Sequence, residues 1–378
     1  MQRLLIQGYG KRATARYALF SIPAAGNEDK DDAAKQAFLK SVRSLLAKGW
    51  IGSAEHQECA EDGDNVLRYL RRRRQAAEEL DEDFVSVEPT AAQLKVVDDR
   101  TDEPEPRIAL AFTMAGLTRL GLPDPQLHNV PLAFREGMSS PMRARRLGDP
   151  ESKTGWQWSD SLPANNDYPN GAIHGLLVMY SVVGYTGLLE PDDAKYERYA
   201  TRILKAQWES MLQGPGKGMA ACLHPPLPDA VVRPDKKGHF GYRDGISQPY
   251  IEGVHTSREV RGAKAATHSV KAGEFILGHT NESGTVQPPI WVDRQLMAPS
   301  SDWLPSDGVS PDRADFGRNG TFLVFRQMEM NVDSFHDYIE EHAPQVDVNE
   351  QDDALYIKVD GHKYFVKTED DSNVVDVG

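Results

Sequence analysis

Hydrophobic positions along the chain change period several times, and each change marks an element. From Ala15 to Ile22 (ARYALFSI) aromatic and aliphatic residues run together until Pro23, which predicts a strand over 16–22. From Ala33 to Lys48 the apolar residues Ala34, Phe38, Val42, Leu45 and Leu46 keep the three-to-four spacing of one buried helical face. Asp31 and Asp32 stand in its first turn, where the positive end of a helix favours acids. Ile108–Thr113 (IALAFT) predicts a second strand, running into a short helix that Gly121 and Pro123 stop. A third strand is expected over Ile173–Val183 and a helix over Pro191–Leu212. Strand then helix, three times over with long insertions, predicts an α+β sheet with helices on one face.

The second half has a different texture. GHFGYRDGISQP (238–249) and KAGEFILGHTN (271–281) are glycine-punctuated, GTFLVFRQM (320–328) predicts a strand, and VDSFHDYIEEH (332–342) predicts a helix. ALYIKVDGHKYFVKT predicts a β-hairpin turning at Asp360-Gly361, followed by an acidic end. GPGKG (214–218) resembles a phosphate loop only loosely, because it lacks a Ser or Thr after the lysine and the full glycine spacing; it is expected to be a linker. LHPPLPDAVVRPDKK, with four prolines, is expected to be a domain boundary. The expected organisation is one domain over 1–225, a second over 226–345 and a divergent acidic tail over 346–378.

Charge narrows the functions. Forty-three basic and 57 acidic residues leave a formal charge of −14, which argues against a phosphate-tracking nucleic-acid binder. The run RRRR at 71–74 does not change this, since Glu78, Glu79, Asp81 and Glu82 follow at once and offer helical pairing. Two cysteines, Cys59 and Cys222, cannot build a disulfide framework or a four-thiolate metal site. No apolar run approaches the length of a membrane-crossing helix, and the first residues, MQRLLIQGYGKR, lack a secretory pattern. No membrane partner and a cytoplasmic location are therefore expected.

Few residues invite chemistry. Asp244 lies in Gly241-Tyr-Arg-Asp-Gly245, between glycines that let backbone approach a bound group and beside Phe240, Tyr242 and Ile246. A carboxylate desolvated there has a raised pKa and makes a useful proton acceptor. The plainer reading, favoured on composition alone, is a turn, because Arg-Asp-Gly is ordinary hairpin punctuation. The eleven histidines form no tight cluster. Cys222-Leu-His224 is a candidate pair of metal ligands with nothing nearby to complete a tetrahedral site. His336 and His342 lie six apart, a spacing that does not share a helical face.

GYRDGISQP resembles the GxxDG signature of the dye-decolorizing (DyP-type) haem peroxidases. IQGYGKRATARYALF, AFTMAGLTRLGLP, FREGM, RARRLGD, KAGEFILGHTNE and NGTFLVFRQME are similar to further segments of that family, in the same order, over about residues 4–345. The spacing looks like the family's larger C/D-type branch. The resemblance implies two ferredoxin-like α+β domains, with haem b held by the second. It implies that Asp244 takes a proton from hydrogen peroxide and returns it to the departing oxygen, after which aromatic donors are oxidised one electron at a time. It places Gly245, Ile246 and Ser247 against the haem. Arg326 falls in the strand motif, where it suits structural pairing or contact with a haem carboxylate. A homo-oligomer or an encapsulating partner is also in keeping with the resemblance.

One departure is large. In the family a long C-terminal stretch carries the proximal histidine in a GAHIRR-like motif, and later a distal arginine; after Ala343 this sequence matches neither. Residues 347–378 hold nine acidic residues, three lysines and no arginine. His336, His342 and His362 stand where the family has no ligand. The second ferredoxin-like domain is therefore expected to be incomplete. Two readings stay open: a peroxidase with weak activity, or a non-catalytic relative that serves as a binding or assembly module.

Overall fold

Four strands form one antiparallel sheet whose order is set by sequence-distant pairing. They are β1 (Arg12–Phe20), β2 (Arg107–Phe112), β3 (Gly175–Val183) and β4 (Ala230–Val231), arranged β2-β3-β1-β4. In this computed structural model the described residues are 12–23, 28–51, 105–122, 130–149, 158, 172–183, 193–232, 237–242, 249–253, 269–296, 312–342, 355–359 and 362–366. Helix α1 (Glu28–Ala47) joins β1 to β2, and α5 (Asp193–Gln213) joins β3 to β4. Between β2 and β3 lie three short helices: α2 (Met114–Leu120), α3 (Leu132–Glu136) and α4 (Pro141–Leu147). A β-α-β-β-α-β order with this strand arrangement is ferredoxin-like, in keeping with the α+β expectation.

The core explains why both long helices lie on one face. Phe38 and Leu45 of α1 and Leu204, Trp208 and Met211 of α5 pack with Ala18, Phe20, Ile108, Leu110, Leu177 and Met179 of the sheet. Phe20 is the hub, with ring centroids 5.1 Å from Phe38 and 5.8 Å, edge-on, from Phe112. The opposite face buries Ala15, Leu19, Ala109, Ile173, Leu176 and Val178. There Phe325 stacks on Tyr17 at 5.4 Å and on Trp158 at 5.6 Å. With both faces covered, the strands run apolar at successive positions instead of alternating.

Helix ends follow local chemistry. Thr113 caps α2 by accepting from the Gly116 N–H, and Gly121 closes it in the left-handed region at φ 105°. Gly116 has no room for a side chain, since a Cβ would stand 1.9 Å from the His174 carbonyl oxygen.

Three expectations change. GPGKG is not a linker: Gly214 and Gly216 terminate α5 by donating to Ser210 and Met211 carbonyls, and a single 3₁₀ segment, Lys217–Cys222, follows. A Cβ on Gly218 would meet the Ala37 carbonyl at 2.3 Å, so this joint is packed against α1. The proline-rich stretch after it carries the sheet's edge strand. Its N–H groups at His224 and Leu227 bond to Leu19 and Tyr17, and edge positions tolerate proline. Arg16 donates to both carboxylate oxygens of Asp229, at 2.8 and 2.7 Å, which pins that edge.

The third change is GTFLVFRQM, which is not a strand. Its start is anchored, by the Leu277 N–H on the Gly320 carbonyl and by the Thr321 hydroxyl on the Phe275 carbonyl. Beyond that, residues 320–331 enter no ladder, and Leu323, Val324, Met328 and Met330 stay exposed. A strand sequence becomes a strand only when another strand takes up its backbone groups.

The chain divides into two compact units, one of Met1–Asp235 with Gly245–Phe325, the other of Lys236–Asp244 with Arg326–Gly378. The first also contains the short pairs β5 (Tyr250–Ile251) with β6 (Ser269–Val270) and β7 (Trp291–Asp293) with β8 (Arg313–Asp315). Buried Asp315 there accepts from the N–H groups of Ile290 and Gly317. The second holds α6 (Val332–His342) and the hairpin β9 (Leu355–Val359) with β10 (His362–Val366). The pairing of Val359 with His362 sets the hairpin register around a two-residue connection, as Asp360-Gly361 predicts.

Candidate active site

The approach to the GxxDG motif is a tight turn. The Gly238 N–H donates to the Tyr242 carbonyl at 2.8 Å and the Gly241 N–H to the Gly238 carbonyl at 3.0 Å. Gly241 adopts φ 86°, a left-handed conformation that favours glycine. The turn projects two aromatic rings onto α6: Phe240 lies 4.5 Å from Phe335, and Tyr242 meets the same ring edge-on at 6.2 Å. The apolar and aromatic surroundings expected for the motif thus exist on its N-terminal side, although Tyr242 itself is 63% exposed. Asp244, Gly245, Ile246 and Ser247 lie outside the described residues. Of the expected site residues the structure places Arg326, which is half-buried and directly follows the Phe325 stack.

The imidazoles can be tested one by one for the axial role that haem, implied by the resemblance, requires. The His174 Nδ1 accepts from the Ile22 N–H at 2.8 Å, and the His224 Nε2 stands 2.8 Å from the Ser21 hydroxyl. The His279 Nε2 stands 2.8 Å from Asn319 Oδ1. His336 is exposed on α6, its ring edge-on to Phe335 at 5.5 Å, and His239 is exposed in the turn. The side chains of His342 and His362 lie outside the described residues. An axial ligand needs a free ring nitrogen facing an apolar slot large enough for a porphyrin. One ring nitrogen each of His174, His224 and His279 is engaged by a protein group, and among the described residues no axial ligand is identified.

The candidate ligand pair Cys222 and His224 lies within the described residues. Cys222 is buried, and burial pushes its thiol up to about 11 despite the opposing influence of Arg119, so a thiolate is disfavoured. Among the described residues no group of three or more His, Cys, Asp or Glu side chains could hold a metal ion.

Sequence reasoning missed the polar seam at the end of β1, where Ser21, His174, His224 and Arg119 meet. Ser21 and His224 are 203 positions apart, so no local pattern could announce the pairing. Burial lowers the pKa of both His174 and His224, with Arg119 and then His224 adding to the effect on His174.

No family model matches the chain. Among curated proteins, the dye-decolorizing peroxidase of Exidia glandulosa is 26% identical over 265 residues, covering 69% of this chain and 40% of that protein. The dye-decolorizing peroxidase of Auricularia auricula-judae is 24% identical over 262 residues, 68% of this chain and 38% of that protein. Among solved structures, a mutant of the dye-decolorizing peroxidase from Pleurotus ostreatus aligns at a TM-score of 0.47 and 18% identity, over 93% of this chain and 53% of its own. A DyP-type peroxidase from Anabaena sp. aligns at 0.33 and 16%, over 66% and 38%. The chain spans about two fifths of the length of the two curated relatives. By sequence, over about two thirds of its own residues, this chain is similar to the dye-decolorizing peroxidases.

Proposed function

We propose that this chain acts as a haem-dependent peroxidase of the dye-decolorizing type, reducing hydrogen peroxide and oxidising aromatic donors, with weak turnover. The observation that carries the reading is GYRDGISQP within a sequence similar to dye-decolorizing peroxidases. In this reading Asp244 would hold and move the peroxide proton, and Gly245, Ile246, Ser247 and Arg326 would be the residues that hold haem b. The group would supply the redox chemistry, and the chain would supply the proton acceptor and the orientation. Weak turnover is argued from residues 347–378, which match neither the family's proximal-histidine motif nor its distal-arginine motif. A single charge-stabilising donor is typically worth about 10²–10³-fold. A cytoplasmic setting, and a homo-oligomer or an encapsulating partner, belong to the same reading.

A second reading has its own observation. The described histidines are either bonded to protein groups or exposed, which favours a non-catalytic relative that binds no haem and serves as a binding or assembly module.

One experiment separates them. The protein is expressed with haem available, and its Soret band, iron content and peroxide-dependent dye oxidation are recorded beside those of Asp244→Asn. The first reading expects a band shifted from free haem, slow dye oxidation favoured below neutral pH, and a further loss of about 10²–10⁴-fold in the variant. Absence of bound haem overturns it in favour of the second. Haem binding with wild-type-like rates in Asp244→Asn overturns the role of Asp244 alone.

A further inference from the structure

Residues 21–23, just past β1, are gripped from three sides. The Ser21 hydroxyl donates to the Ala172 carbonyl at 3.0 Å. Having spent its one proton there, Ser21 accepts from the His224 Nε2–H at 2.8 Å. The pair has the spacing of a serine nucleophile and its base, but the hydroxyl proton points to a carbonyl and the imidazole holds its own proton, so it is structural. Arg119 of α2 donates to the Pro23 carbonyl at 2.6 Å and to the Ile22 carbonyl at 3.3 Å. The third grip is His174, just before β3. A backbone N–H only donates, so the Nδ1 that faces the Ile22 N–H at 2.8 Å carries a lone pair, and the ring is neutral.

We propose that His174 is an acid-sensitive latch, whose protonation at Nδ1 sets a donor against the Ile22 N–H and a cation beside Arg119, releasing residues 21–23 from the segment before β3. The groups that face His174 all oppose its charging. Arg119 from α2 is permanently cationic, and His224 from the segment before β4 adds charge whenever it titrates. The direction of linkage follows. An unfolded histidine titrates near about 6.5, and His174 in the fold titrates lower. Its contribution to stability is therefore complete above that value and is lost as pH falls through the window beneath it.

The test compares the full chain with His174→Asn, whose Oδ1 stands where Nδ1 does and can accept from the Ile22 N–H without titrating. Denaturant unfolding, followed by tryptophan fluorescence, is measured from pH 7.5 to 5. The wild type should lose stability relative to the variant below about pH 6.5, at a slope of at most about a tenfold change in the unfolding ratio per pH unit. Parallel pH profiles for the two proteins would overturn the latch. Should His174→Asn fail to fold, the ring resonances of selectively labelled wild-type histidine decide. A His174 midpoint below about 6.5 upholds the proposal, and one at or above it refutes it.

Discussion

The sheet of residues 12–231 and the segment of residues 320–331 are both rich in strand-forming residues, yet only the first makes strands. In the sheet each central strand has two neighbours, and both faces are closed, one by α1 and α5 and the other by Trp158 and Phe325. In GTFLVFRQM a single residue, Phe325, finds such a place, stacked on Tyr17 and Trp158. Its neighbours Leu323 and Val324 stay 52% and 63% exposed. The contrast shows that β-propensity describes a fit to a partner surface more than a preference of the isolated backbone.

The comparison breaks most visibly at Phe38, fully buried against Phe20. Phe38→Ala should cost about 3–5 kcal/mol in denaturant unfolding, the range of a large aromatic truncated in a closed core. An effect below about 1 kcal/mol would mean that this face is loosely packed. A smaller loss is expected at the edge of the same sheet. Asp229→Ala leaves the Arg16 guanidinium without its bidentate acceptor, in a site where both side chains are mostly buried. About 1.5–3 kcal/mol is expected, the scale of hydrogen bonds to charged groups. Val324→Ser should change stability by no more than about 0.5 kcal/mol, as for ordinary surface positions, and should raise solubility. A cost of several kcal/mol there would show that Val324 is covered in the folded protein in solution.

Legibility followed the same division. Each of the longer helices and central strands of the sheet was readable because its apolar period is self-contained. Phe38, Val42 and Leu45 mark α1, and Gly121 stops α2. Val332–His342 and the paired strands of the final hairpin were readable for the same reason. The unreadable parts depend on distant partners. Nothing near GPGKG says that Gly218 abuts Ala37, and nothing near Pro225 says that Leu227 bonds to Tyr17. The candidate site divides likewise. The turn of Gly238–Tyr242 follows from its local glycines, whereas the packing of Phe240 and Tyr242 on Phe335 does not. The seam of Ser21, His174, His224 and Arg119 is assembled from four separate stretches and has no sequence signature.

The antiparallel pairing of β1 with β3 has a kinetic meaning. Its partners, from Arg12 with Val183 to Phe20 with Gly175, stand roughly 160 positions apart along the chain, so the central ladder is among the costliest loops to close. During synthesis β1 leaves the ribosome well before β3 and β4, its two neighbours in the sheet. At a translation speed of about 5–20 residues per second, that interval is on the order of ten to thirty seconds. Throughout it Tyr17, Leu19 and Phe20 belong to an unpaired apolar segment, and this delay makes β1 a stretch for a chaperone to cover.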